Sequence, residues 1–181
     1  MDTAVYRAQA KFILDKVRDR FSACKLEMHP VKTKIVYCKD DERKEDYPIT
    51  EFEFLGYSFK QRYIRYKDGR RGMNFIATVS KSAEKSLKEK IKGMNIQRMS
   101  GSTIQMVSEA INPILRGWIN YLGAYSRSAL RKTLNVVQMR LVIWAMRKYK
   151  RFRGHRRRAE VWLKEIMKRE PAMFAHWALL T

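Results

Sequence analysis

Leu130, Leu134, Val137, Leu141 and Trp144 recur at alternating spacings of four and three, the period that lines one face of an α-helix. A helix built on that stripe must bury it. Arg131, Arg140, Arg147 and Lys148 fall largely off the stripe, so burial on one side leaves bare cations on the other. The constraint extends beyond this helix: residues 110–159 contain thirteen Lys or Arg and no Asp or Glu. Surfaces that serve only solubility intersperse both signs. This one has no acid to neutralise it, and the whole chain carries a net charge of +21 over 181 residues. Self-repulsion of that size is ordinarily relieved by a polyanion. Anionic headgroups attract the same residues, but the composition favours nucleic acid.

The rest of the chain divides by pattern. Val5, Ala8, Phe12, Val17 and Phe21 predict an amphipathic helix over residues 4–24, which His29-Pro30 follows as a breaker. Residues 33–38 (TKIVYC) predict a short strand, and residues 39–48 a polar loop closed by proline. Residues 52–59 alternate with a break at Gly56. Residues 63–66 and 73–79 flank Lys67-Asp68-Gly69, and Asp-Gly between β-rich runs predicts a hairpin. From Ser80 the pattern turns helical. Ser80 or Ser82 caps a helix ended by Gly93, and Ser102 starts the next. Asn112-Pro113 offers either a new helix start or a kink. The final helix, over residues 156–169, should turn Val161 or Trp162 and Ile166 inward, and Pro171 precedes an apolar tail. The expected fold class is α+β: a small antiparallel β/α portion over 1–80, then an α-helical bundle over 81–181.

A hydrophobic content of 45% with 12% aromatics argues against disorder. No run of about 18 apolar residues predicts a membrane span, and the N-terminal MDTAVYRAQAK has no apolar signal core, so a cytoplasmic location is expected. Cys24 and Cys38 are expected as small core residues of a reducing compartment, without CxxC spacing. His29, His155 and His176 are scattered, and no metal site is expected.

The densest candidate site is residues 147–158, RKYKRFRGHRRR. Arg147, Lys148, Lys150, Arg151, Arg153, Arg156, Arg157 and Arg158 interleave with Tyr149, Phe152 and His155. Cations neutralise phosphates, while aromatic and guanidinium planes can stack on unpaired bases. A non-specific polyanion patch has the same composition. Gly154 suggests a helix, turn, helix arrangement with both ends basic. Trp118 and Tyr121, three apart in GWINY, share a helix face, where aromatics usually pack as core. Asp40-Asp41 lies in a loop without flanking apolar strands, a poor two-metal site. No phosphate-binding loop, nucleophile elbow or Cys/His pairing occurs.

Taken in order, these segments resemble one family. Residues 26–36 (LEMHPVKTKIV) and 52–59 (FEFLGYSF) resemble the last two conserved blocks of a group II intron reverse transcriptase palm. Residues 111–122 (INPILRGWINYL) resemble the signature of the maturase-specific domain, or domain X, which includes the thumb. Residues 147–158 and Phe174-Ala175-His176-Trp177 are similar to that domain's C-terminal part. The resemblance implies group II intron RNA as partner (its domain IV in this family), help in RNA folding and splicing, and a grip on template–primer. It implies that Lys32 assists the pyrophosphate leaving group and that Leu55 and Gly56 support the primer end. Arg116, Trp118, Tyr121, Arg127, Arg131, Lys132, Arg140 and the cations of 147–158, with His155, are implied to face RNA; Asn112, Pro113 and Gly117 match the same signature. The family's Tyr-Ala-Asp-Asp block is absent from this sequence, as is a Cys/His-bearing endonuclease module. Mg2+ therefore belongs to the full-length polymerase, no cofactor is expected here, and the chain alone is not expected to polymerise DNA. Two alternatives accompany this reading. The chain can complete a split polymerase with a separately encoded N-terminal part, or bind nucleic acid without specificity.

Overall fold

In a computed structural model, which describes residues 3–42, 45–125 and 127–180, the apolar spacing at the N-terminus yields the expected helix, α1 (Thr3–Ala23). Its stripe lies open: Phe12 is 62% exposed, and Ile13, Val17 and Phe21 are exposed as well. Periodicity specifies which face of a helix is apolar, not whether anything packs on it. Cys24 is exposed too, contrary to the expectation that it is core. Residues 33–38 do not form the predicted strand. β-rich residues become a strand only beside a continuous hydrogen-bonding partner; here the Tyr37 N–H donates to the Ile49 carbonyl at 2.9 Å. The loop that follows matches its prediction where described; Arg43 and Lys44 lie outside the described residues.

Three strands, β1 (Glu51–Phe54), β2 (Tyr57–Arg65) and β3 (Arg71–Val79), form an antiparallel sheet in the order β1-β2-β3. Leu55 and Gly56 make the first turn, both in the left-handed region at φ 48° and 79°, as a two-residue hairpin loop requires. The second turn is the predicted Asp68-Gly69, closed by the Tyr66 N–H on the Arg70 carbonyl at 2.8 Å. Residues 63–65 continue β2 and are not a separate strand.

Among the described residues, four more helices follow. α2 (Lys81–Gly93) is capped by Ser80, whose hydroxyl accepts from the Ala83 N–H at 3.1 Å. α3 (Ile104–Leu122) is capped by Thr103, one residue later than expected, and runs through Pro113 without ending. In α4 (Arg127–Lys148) all five stripe residues have no exposed surface. At roughly 1.5–3 kcal/mol per fully buried large apolar side chain, the stripe contributes on the order of 10 kcal/mol, an upper estimate. α4 touches α2, α3 and α5 (Arg156–Arg169) and the three 3-10 turns Ile96–Arg98, Lys150–Phe152 and Ala175–Leu179. On α5 the register is set by Ala159, Leu163 and Ile166, spaced four and three. Of the two alternatives expected inward, Trp162 is half-buried against the core and Val161 is 49% exposed, while Ile166 is buried as expected. The apolar tail is docked, with Phe174, His176 and Trp177 fully buried.

The fold is α+β, as the pattern predicts. By packing, the chain forms two compact units, Met1–Phe52 with Lys60–Phe75 and Glu53–Phe59 with Ile76–Thr181, so each strand lends residues to both. No helix among the described residues is long and apolar enough to cross a membrane.

Candidate nucleic-acid interface

The basic stretch forms a corner between α4 and α5. α4 ends at Lys148, Tyr149 turns extended, the 3-10 turn Lys150–Phe152 follows, and Gly154 at φ 76° reverses the chain. That φ is costly for any residue with a Cβ. The corner is tied by the Phe152 N–H to the Tyr149 carbonyl at 3.0 Å and the His155 N–H to the Phe152 carbonyl at 2.9 Å. Tyr149 and Phe152 face inward: Phe152 is 6% exposed, and Tyr149 meets Trp144, Phe152 and Trp162 edge-on at 5.1–6.1 Å between ring centres. The interleaved rings are thus the anchor of the corner. A chain can alternate ring and cation while the rings point one way and the cations the other.

The cations divide into anchored and free. The Arg147 guanidinium donates to the Gln97 carbonyl at 3.3 Å, and the Lys148 ammonium to the Ser100 carbonyl at 3.1 Å while lying over the Trp144 and Tyr149 rings. With the Trp144 indole N–H on the Met99 carbonyl at 2.8 Å, they hold residues 97–100 against α4. Arg131 donates to the Leu180 carbonyl at 3.1 Å. Arg151 stacks over Phe152 at 4.6 Å, and Arg156 pairs with Glu160 at 2.8 Å one helical turn on. The exposed Arg116, Arg127, Lys132, Lys150, Arg153, Arg157 and Arg158, and the half-buried Arg140, have no carboxylate partner among the described residues. His155 is exposed and begins α5 without a side-chain cap. Arg156, Arg157 and Arg158 occupy the first turn of α5, where the helix dipole already presents its positive end. Like charges gathered there repel, and an anion relieves them.

Beneath the corner opens a cleft of about 710 Å³. The arginines of the α5 first turn and His155 line it, together with Arg151, Gly154, Phe152, Val161, Trp162 and Glu165. Sequence reasoning did not place Val161, Trp162 and Glu165 in the site because they lie on α5, beyond the basic run.

A second feature of the same compact unit surrounds the Leu55-Gly56 turn. The Ser80 N–H donates to the Gly56 carbonyl at 2.9 Å. A Cβ on Gly56 would lie 3.5 Å from the Ala83 Cβ and 3.6 Å from the Leu122 Cδ2. The Tyr121 hydroxyl donates to the Leu55 carbonyl at 2.9 Å, and the Tyr57 hydroxyl donates to the Tyr121 carbonyl. Tyr125 packs edge-on against Tyr57 at 5.1 Å. Burial, then the neighbouring phenols of Tyr121 and Tyr125, push the Tyr57 phenol above its ordinary value. The Leu55 side chain is 64% exposed, and Trp118 is half-buried with one side packed on the core. Thus Leu55, Gly56 and Tyr121 come together, joined by hydrogen bonds.

Lys32 belongs to the other unit. It is exposed, and its backbone N–H, like that of Val31, lies on the His29 Nδ1 at 3.2–3.3 Å. The residues present do not fit a two-metal site: among those described, no group of three or more His, Cys, Asp or Glu is placed to hold an ion. Asp41 instead accepts the Met73 N–H at 2.8 Å.

Asn112 is a further residue that the signature pointed to without a role. It is 8% exposed. Its amide donates to the Met173 carbonyl at 2.8 Å and its oxygen accepts the Ala175 N–H at 2.9 Å, so it pins the tail to α3. Deeper in, Gln138 accepts the Trp177 indole N–H at 2.9 Å and lies 3.4 Å from the His176 Nε2. Burial pushes His176 down to about 3 from its ordinary 6.5.

Residues 84–162 match the family described as Group II intron, maturase-specific domain. No curated protein and no solved structure matches the chain.

Proposed function

We propose, from the match of residues 84–162 to the group II intron maturase-specific domain, that the chain binds intron RNA through the basic face of α4, the corner and the start of α5, assisting the RNA to fold for splicing. The domain itself implies group II intron RNA as a partner and a role in splicing. The observation that carries the finer reading is the set of exposed cations at the corner that have no carboxylate partner and stand on a buried aromatic anchor. Capture is electrostatic, by phosphate neutralisation and counterion release, with guanidinium planes and not the buried rings available for stacking. No bond is made or broken. Equilibrium binding at physiological salt to a group II intron RNA and to an unrelated structured RNA of equal length tests it. Tighter binding of the intron is expected, and equal affinities would leave only a non-specific polyanion binder.

A second reading is favoured by one observation, the open apolar stripe of α1, with Phe12, Ile13, Val17 and Phe21 exposed. A separately encoded N-terminal reverse transcriptase part covers such a face, and the chain then supplies the thumb and lower palm. Leu55 and Gly56 then support the primer end, Lys32 assists the leaving group, and Mg2+ enters with the partner's carboxylates. Co-expression with such a part should give a stable complex that extends a primer, slowed by Lys32→Ala. Failure to co-purify removes this reading and leaves the first standing.

A further inference from the structure

We propose that the cleft beneath the corner is a pocket for a single unpaired guanosine of a bound RNA strand. The inference rests on the RNA-binding reading above. Three observations carry it. The cleft measures about 710 Å³, within the range of roughly 300–1,000 Å³ that admits one small ligand, so it has room for a nucleotide. Its lining is split by chemistry. Val161 and the half-buried Trp162 supply an apolar and aromatic floor, while Arg157 and Arg158 stand exposed at the rim without a carboxylate partner among the described residues. A base with its phosphate has the same division, one flat weakly polar face and one strong anion.

The third observation concerns which base. Glu165 lines the cleft, the one carboxylate among its walls, and makes no ion pair or hydrogen bond among the described residues. An exposed carboxylate on the same cleft as several arginines weakens the pull on phosphate and leaves its two oxygens open to a ligand. An ionised carboxylate only accepts hydrogen bonds, through two oxygens side by side. Guanine offers two adjacent donors, N1–H and the N2 amino group, and can meet both oxygens at once. Adenine and cytosine set an acceptor beside their single amino donor, and uracil flanks N3–H with two carbonyls. Each of these would point a lone pair at the carboxylate, leaving a partly desolvated repulsion. A site with two convergent acceptors therefore selects guanine.

Fluorescence anisotropy of labelled pentanucleotides with a single central base in an oligouridine context tests the pocket on the full chain, with the affinity for intron RNA measured in parallel. The central guanosine should bind roughly tenfold tighter than adenosine, cytidine or uridine, the range of a good bidentate base contact. Glu165→Gln supplies one acceptor and one donor in place of two acceptors, and should abolish the preference while leaving the all-uridine strand bound as tightly or more tightly. Arg157→Gln should weaken all four strands alike. Equal binding of the four by the wild-type protein, or a preference that survives Glu165→Gln, overturns the pocket. So does an equal gain for every base on Glu165→Gln, which would mark Glu165 as merely repelling phosphate. A pocket overturned while intron RNA is still preferred leaves the function proposed above intact. A guanosine preference without intron preference upholds the pocket and overturns that function's specificity.

Discussion

Replacing Asn112 with alanine removes both ends of a clamp at once. In the native protein its amide donates to the Met173 carbonyl and its oxygen accepts the Ala175 N–H, at 2.8 and 2.9 Å, on a side chain that is 8% exposed. The two backbone partners belong to half-buried residues, so truncation leaves a donor and an acceptor incompletely wetted. A hydrogen bond of this kind is worth about 0.5–1.5 kcal/mol net, and a stranded buried group costs about 1–3 kcal/mol. Taking about 1–1.5 kcal/mol for each partner, because neither is fully buried, Asn112→Ala should destabilise by about 2–3 kcal/mol. All four tryptophans lie in the compact unit that contains the clamp, so urea unfolding followed by tryptophan emission reports on that unit alone. The midpoint should fall with an unchanged slope. Asn112→Asp keeps the acceptor for Ala175 but turns a carboxylate toward the Met173 carbonyl, and should be at least as damaging. If Asn112→Ala shifts stability by less than about 0.5 kcal/mol, the clamp does not hold the tail and the reasoning fails.

Three further expectations follow from other parts of the structure. His176 is held neutral at about 3 while the unfolded chain takes up a proton near 6.5; its share of stability is complete above 6.5 and declines as pH falls toward 3. Between pH 7 and 5 the loss is about 2 kcal/mol, and a His176→Asn protein whose urea midpoint drops equally over that interval would contradict it. Gly154→Ala, at φ 76° with open space around the added Cβ, should cost about 1–2 kcal/mol through backbone strain alone, readable as a lowered thermal midpoint. The double variant Arg157→Gln, Arg158→Gln should reduce the dependence of log affinity for RNA on log salt by about 1 to 2, since each phosphate contact on a single strand contributes about 0.7; an unchanged slope would remove both residues from the interface.

What was legible in the sequence was what repeats or what chain geometry forces locally. The four-and-three stripe of α4 buries as read, and Asp68-Gly69 and Gly56 sit at the turns because those dihedrals suit few other residues. Misreadings arose where the answer depends on a partner. The β-rich TKIVYC run has the Tyr37–Ile49 bond but is not a strand, and α1 leaves Phe12, Ile13, Val17 and Phe21 exposed. On α5 the buried positions are Ala159, Leu163 and Ile166, with Trp162 half-buried beside them and Val161 left exposed. The candidate site shows the same division. Its cations were visible as a run, but the inward turn of Tyr149 and Phe152 is decided by Trp144 and Trp162, rings contributed by other turns of the chain. Asn112 could be located but not explained, because its partners lie sixty residues away along the chain.

The aromatic anchor bears on how fast and how tightly RNA is held. Arginine-rich segments that are disordered until they bind lose backbone freedom on association, about 1–2 kcal/mol per residue fixed. Here a turn locked from below by four rings has already lost that freedom during folding, and only the outer side-chain torsions remain to be ordered. Encounter is then governed by long-range attraction, which salt attenuates, while the lifetime of the complex reflects a preformed geometry. If RNA binds at the corner as proposed, the corner would meet it as a rigid die, and the conformational adjustment would fall on the RNA.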